Sequence, residues 1–239
     1  MHGQVHNAQT EPECSLGAQA LLSRFSVHGR YYSRKIAGID EQLRDRLEIA
    51  PIDWTLQKIL SHAPDLLVVM MNPGASRPLN ALWDEGSSQG FTAAQPDRTQ
   101  YQVMRLMLAA NRCGVPWHHA RILNLSDLRT PKSAEMLHKL AAYQADDSHS
   151  IFSKSRSEEC SQHFAVQTTP VLCGWGLSKA FTPIARSAIR AMEQHPVLGI
   201  TADGVLYRHP LPQRHAMQVE WLKHIIQQVE RNFAQKNIN

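Results

Sequence analysis

The 239-residue chain has no long apolar run, no paired cysteines and no strong excess of either charge. Its longest continuous hydrophobic stretch, Leu66 to Met71, falls far short of the ~20 residues a membrane helix needs, so no membrane partner is expected. The first residues lack a basic start followed by an apolar core, so a secretory signal is not expected and the cytoplasm is the expected location. Cys14, Cys113, Cys160 and Cys173 are scattered without a CxxC pair, in a chain large enough not to need disulfides, so reduced thiols are expected. Cys160 and His163 lack a second ligand pair of matching pattern, and the isolated cysteines do not suit an iron–sulfur cluster, so neither a metal nor a cofactor is expected. The net charge of +4 permits an anionic partner but does not require one.

What is present is a composition able to build one core. Hydrophobic residues make up 43% of the chain, no repeat or low-complexity tract is visible, and the length suits a single domain. Residues 1–15 read as a polar, mobile tail, and residues 16–239 as one domain. Leu66–Met71, Ala120–Leu125 and Pro170–Gly176 are short apolar runs ending in polar, Gly or Pro residues, the pattern of buried parallel strands. Gly204–Arg208 is a weaker fourth run. Helical periodicity falls between them, at about Thr99–Arg112, Lys132–Tyr143, Ser150–Phe164 and Ser178–Gln194, and in a last helix through Val219, Leu222, Ile226 and Val229. Alternating strands and helices predict an α/β fold with three layers, α/β/α, around a central parallel four-stranded sheet. Ligands of such sheets lie beyond the carboxyl ends of the strands.

Those ends carry candidate chemistry. Asn72 follows the first run and is turned at once by Pro73 and Gly74, so a fixed amide there can orient a water. Asn124 offers a donor and an acceptor side by side, as reading a nucleobase edge requires. His209, held before Pro210, can act as a base or donate to an oxygen gaining negative charge. Each has an ordinary structural reading as a turn or loop cap. Their coincidence at the strand ends of one sheet, in chain order, favours a shared cleft. Arg30–Lys35 interleaves basic and aromatic residues and reads as a solvated helix or loop face, with nucleic-acid contact as the alternative; His118–His119 reads as a surface pair.

VVMMNPGAS resembles the first motif of the uracil-DNA glycosylase superfamily, in its Asn-Pro-Gly form, and HPLPQR resembles the second, His-Pro-Ser-Pro motif. RILNLSDLRTP is similar to the strand carrying the base-reading Asn, and PVLCGWGLSKA to the penultimate strand. The resemblance runs from Leu66 to Leu222 and extends to a group of bacterial proteins related to that superfamily. It implies a glycosylase-like fold and a monofunctional DNA glycosylase acting as a monomer on DNA. Asn72 would hold the hydrolytic water and His209 would stabilise the departing base. Met71, Pro73, Gly74, Ala75, Asn124 and Trp175 would form the base pocket, with core packing as the alternative for Trp175. Ser76, Arg77, Pro210, Leu211, Gln213 and Arg214 would meet DNA, with Gln213 or Arg214 as the wedge that fills the vacated stack. No Lys lies at a motif position, so strand cleavage is not expected.

Two departures bear on substrate. Gly74 stands where strict uracil enzymes carry a Tyr that excludes substituents at pyrimidine C5, which implies tolerance of larger bases such as hydroxymethylated or glucosylated pyrimidines, in repair or in defence against phage. Leu211 replaces the Ser of the second motif and removes a phosphate contact. That leaves two alternatives in view: a binder of modified nucleotides or DNA without chemistry, and a hydrolase of free nucleosides or nucleotides.

Overall fold

In the computed structural model, residues 11–83 and 90–233 are described. Two short helices, α1 (Glu11–Cys14) and α2 (Ala18–Leu22), lead into a long hairpin of β1 (Phe25–Ile36) and β2 (Ile39–Pro51). The hairpin reverses at Ala37 and Gly38, both in the left-handed region, with φ of 48° and 83°. There follow α3 (Leu56–Ser61), β3 (Leu66–Met70), β4 (Arg77–Pro78), β5 (Gly90–Gln95), α4 (Arg98–Arg112), β6 (Ala120–Asn124) and α5 (Ser133–Ala142). The chain continues through α6 (Ser157–His163), β7 (Val171–Gly174), α7 (Thr182–Ala191), β8 (Val197–Leu198) and α8 (His215–Phe233). Of the expected tail, residues 1–10 lie outside the described residues, whereas Glu11–Cys14 is helical and Glu13 is buried and ion-paired with Arg112.

The fold is α/β, but its sheet corrects the expectation of four parallel strands. Among the described residues, eight strands run in the order β4-β5-β1-β2-β6-β3-β7-β8. Only β6-β3, β3-β7 and β7-β8 pair in parallel; the other four neighbouring pairs are antiparallel. The antiparallel half enters through the hairpin, where β2 pairs with β6 at Leu47 opposite Ile122. Arg30–Lys35 therefore lies in a strand, not on a helix or loop. Gly204–Arg208 is no strand: Asp203 accepts the N–H groups of Val205 and Leu206 in a turn, Tyr207 makes only isolated bridges, and β8 takes the place beside β7.

Alternation along β3 builds the core on both sheet faces. Leu66, Val68 and Met70 pack with Val103, Met107, Leu222 and Ile226 of α4 and α8. Leu67 and Val69 pack with Met136, Cys160, Ala185 and Ala188 of α5, α6 and α7. Charge is buried as well. Glu48 is wholly inaccessible and pairs with Arg46, with His119 at 2.7 Å and with Arg121 at 2.9 Å. His119 is therefore interior, not half of a surface pair. Among the described residues, no helix is long and apolar enough to cross a membrane.

Candidate active-site cleft

The loops leaving β3 and β6 are held together beyond the strands themselves. Leu125 N donates to Met70 O at 2.8 Å and Ser126 N to Met71 O at 3.1 Å, so the pairing runs past Asn124 on one side and up to the residue before Asn72 on the other. Pro210, in the loop before α8, packs on Gly174 at the end of β7; a β-carbon on that glycine would lie 2.7 Å from the proline Cδ. These ties bring Asn72, Asn124 and His209 to one cleft of about 340 Å³. Met71, Pro73, Gly74, Ala75 and Leu211 also line it. Its remaining walls come from the start of α4, from Thr130 and Pro131, and from Arg44 of β2.

Each polar group has a defined orientation. Asn72 Nδ2 donates to Thr130 O at 2.7 Å and to Leu128 O at 3.3 Å, which leaves its Oδ1 as the acceptor available to a water. Gly74, with φ of +64°, makes the turn after it. Asn124 is fully buried; its Nδ2 reaches the Arg44 carbonyl at 3.5 Å, and its Oδ1 has no partner. His209 Nδ1 accepts from Leu211 N at 3.1 Å, so the neutral ring carries its proton on Nε2 as a donor. Burial pushes its pKa below the usual 6.5, against the opposing charge of Asp97. The cleft thus holds an acceptor for water, an amide with an open acceptor and a neutral imidazole donor.

Arg44 is the unexpected member. It is 1% exposed, no carboxylate of a described residue pairs with it, and its Nε and Nη1 lack hydrogen-bond partners. Burial works against its charge, with Tyr31 and Asp97 favouring it less strongly. The Tyr31 side chain bonds this guanidinium, and the two donors left unfilled cost about 1–3 kcal/mol each. Asp97 caps α4: its Oδ1 accepts from Thr99 N at 2.8 Å and Gln100 N at 3.2 Å, and Gln100 returns a bond to Asp97 N.

Several expected site residues lie elsewhere. Trp175 is fully buried in the second core, its Nε1 bonded to Val205 O at 3.0 Å, and does not line the cleft. Ser76 is 1% exposed with its hydroxyl 3.0 Å from that of Tyr31, and Pro210 is buried against Gly174, so neither presents a surface to DNA. Arg77 is exposed and bonded to Gln95 at 2.9 Å, while Gln213 and Arg214 are exposed near the start of α8, outside the cleft. A larger cavity of about 460 Å³ lies between α5 and α7, lined by Leu137, Leu140, Ala180 and Ile184. We place the site in the smaller cleft because the strand ends and the unpaired buried polar atoms meet there.

Sequence reasoning missed Arg44 and Asp97. The first sits in a hairpin whose signal was the Ala37-Gly38 turn between two β-branched residues, Ile36 and Ile39. The second was legible as a capping box, Asp97 followed by Gln100. Comparison of the chain with protein-family models, with curated proteins and with solved structures gave no match.

Proposed function

We propose that the chain is a monofunctional DNA glycosylase with a uracil-DNA glycosylase-like domain, acting as a monomer on a flipped pyrimidine. The observation that carries this reading is the meeting of Asn72, Asn124 and His209, from three separate chain segments, in one cleft. Cleaving the bond between C1′ and the base leaves the bonding electron pair on the base and positive charge on the sugar. His209 donates from Nε2 to the base oxygen that gains negative charge, and its neutrality means no proton transfer is needed first. Asn72 Oδ1 holds the water that adds to C1′, and the proton released from that water balances the anionic base. Asn124 reads the base edge with its unpaired Oδ1. Extruding the nucleotide costs a few kcal/mol, which phosphate contacts to the mildly basic surface offset.

Gly74 and Ala75 line the cleft without a bulky side chain, which supports a substrate substituted at C5, including hydroxymethylated or glucosylated bases. The test is incubation with oligonucleotides bearing uracil and C5-modified pyrimidines, followed by alkali to reveal abasic sites. Asn72→Ala and His209→Ala are each expected to lower the rate at least a hundredfold; product formation unaffected by both would sink the assignment. One observation favours a second reading. Leu211 lines the cleft where the related motif carries a hydroxyl, so a binder of modified DNA without chemistry would show tight binding and no abasic product.

A further inference from the structure

Arg30, Arg46, Arg121 and Arg156 each have a carboxylate partner, whereas the more deeply buried Arg44 has none among the described residues: its guanidinium bonds the Tyr31 side chain, and its Nε and Nη1 are left without an acceptor. It lines the cleft, so the missing acceptor is one that a ligand can bring. Asp97 lines the same cleft. Its Oδ1 is used in capping α4, but Oδ2 accepts no hydrogen bond from a described residue and lies 3.0 Å from where a β-carbon on Gly74 would sit. The two charges attract one another without forming an ion pair. The cleft thus offers both a donor-only and an acceptor-only group.

We propose that Arg44 and Asp97 form a reading pair for a hydroxyl-bearing substituent at C5 of the flipped pyrimidine, Arg44 donating to the hydroxyl oxygen and Asp97 accepting its proton in a hydrogen bond. This rests on the glycosylase reading, which puts C5 on the Gly74 side. A hydroxyl both donates and accepts, and so satisfies both residues. A carboxylate would suit Arg44 but meet the like charge of Asp97; an alkyl group would satisfy neither.

The experiment compares identical oligonucleotides carrying 5-hydroxymethyluracil, the nearly isosteric 5-ethyluracil, and 5-carboxyluracil, with binding measured at fixed salt and excision measured in single turnover. The wild-type protein is expected to bind the hydroxymethyl base at least tenfold more tightly than the ethyl base. In Arg44→Met that ratio falls below about threefold. Asp97→Asn, which keeps the cap, lowers the same ratio and raises affinity for the carboxyl base. Equal binding of hydroxymethyl and ethyl bases by the wild type, or an unchanged ratio in folded variants, overturns the proposal. If no base yields abasic product, the catalytic reading fails, while the binding ratios still decide whether the pair reads a hydroxyl. Should Arg44→Met not fold, the Asp97→Asn ratios carry the decision.

Discussion

The side-chain amide of Asn72 donates to the carbonyl of Thr130 at 2.7 Å, and this contact decides which end of the amide faces the cleft. A carboxylate at position 72 would instead meet the Thr130 and Leu128 oxygens. Asn72→Asp is therefore expected to lose about 1–3 kcal/mol at pH 7. Repulsion raises the folded pKa of the new acid above its unfolded value, so the deficit shrinks as pH falls and the protonated carboxyl regains a donor. Urea unfolding at pH 7 and 4.5 measures this; an equal deficit at both would contradict the orientation.

Gly174 should tolerate no β-carbon. The 2.7 Å approach to Pro210 Cδ involves a ring that cannot rotate away, so Gly174→Ala must displace the loop holding His209. The expected cost is about 1–3 kcal/mol of stability, with ligand affinity lost beyond what the destabilisation explains. Denaturation together with oligonucleotide binding separates the two effects.

His209 should titrate below pH 6.5 and carry its proton on Nε2. Because the unfolded imidazole takes up a proton first, the native state binds fewer protons in this window, and stability falls as pH drops below about 6.5. His163, pushed down to about 4 by burial and by Arg121 and Arg46, acts in the same direction. Nitrogen chemical shifts of the imidazoles across pH 4–8 provide the check; a His209 midpoint above 6.5 would contradict the buried, neutral donor.

Glu48→Ala is expected to cost about 3–5 kcal/mol at pH 7, because it strands Arg46, Arg121 and His119 without their shared carboxylate. Burial opposes the Glu48 charge, yet hydrogen bonding from His119 and the charges of Arg121 and Arg46 outweigh it and hold its pKa below 4.5. The wild-type advantage is thus complete above pH 4.5 and lost as pH falls through the lower folded value. Unfolding free energies of both proteins across that range give the measurement.

The parallel half of the fold was readable because its strands are apolar on both faces: every residue of β3 and β6 is buried, and the runs stand out against their turns. The long helices α4 and α8 declared themselves by period. The hairpin did not, because β2 buries Arg44, Asp45 and Glu48 among Leu43, Leu47 and Ile49, and ionised residues at interior positions erase the alternation. That is also why Arg44 escaped notice. Val205, Leu206 and Tyr207 imitated a strand, but the Asp203 carboxylate takes the backbone donors a sheet would need. Asn72, Asn124 and His209 were legible from their neighbours, while Trp175 drew attention by residue type and lies in the interior.

The backbone bonds from Leu125 and Ser126 to Met70 and Met71 tie the segments carrying Asn124 and Asn72 into a single unit, and Pro210 docks His209 onto the same sheet. The wall formed by Gly74, Ala75 and the first turn of α4 has no comparable tie in the parallel ladder. Substitutions at Ala75 and in the first turn of α4 can therefore reshape what the cleft admits while Asn72, Asn124 and His209 keep their spacing, whereas Gly74, at φ of +64°, must stay glycine to hold the turn. Variation in substrate choice is expected to concentrate at residue 75 and residues 97–100, leaving Asn72, Asn124 and His209 untouched.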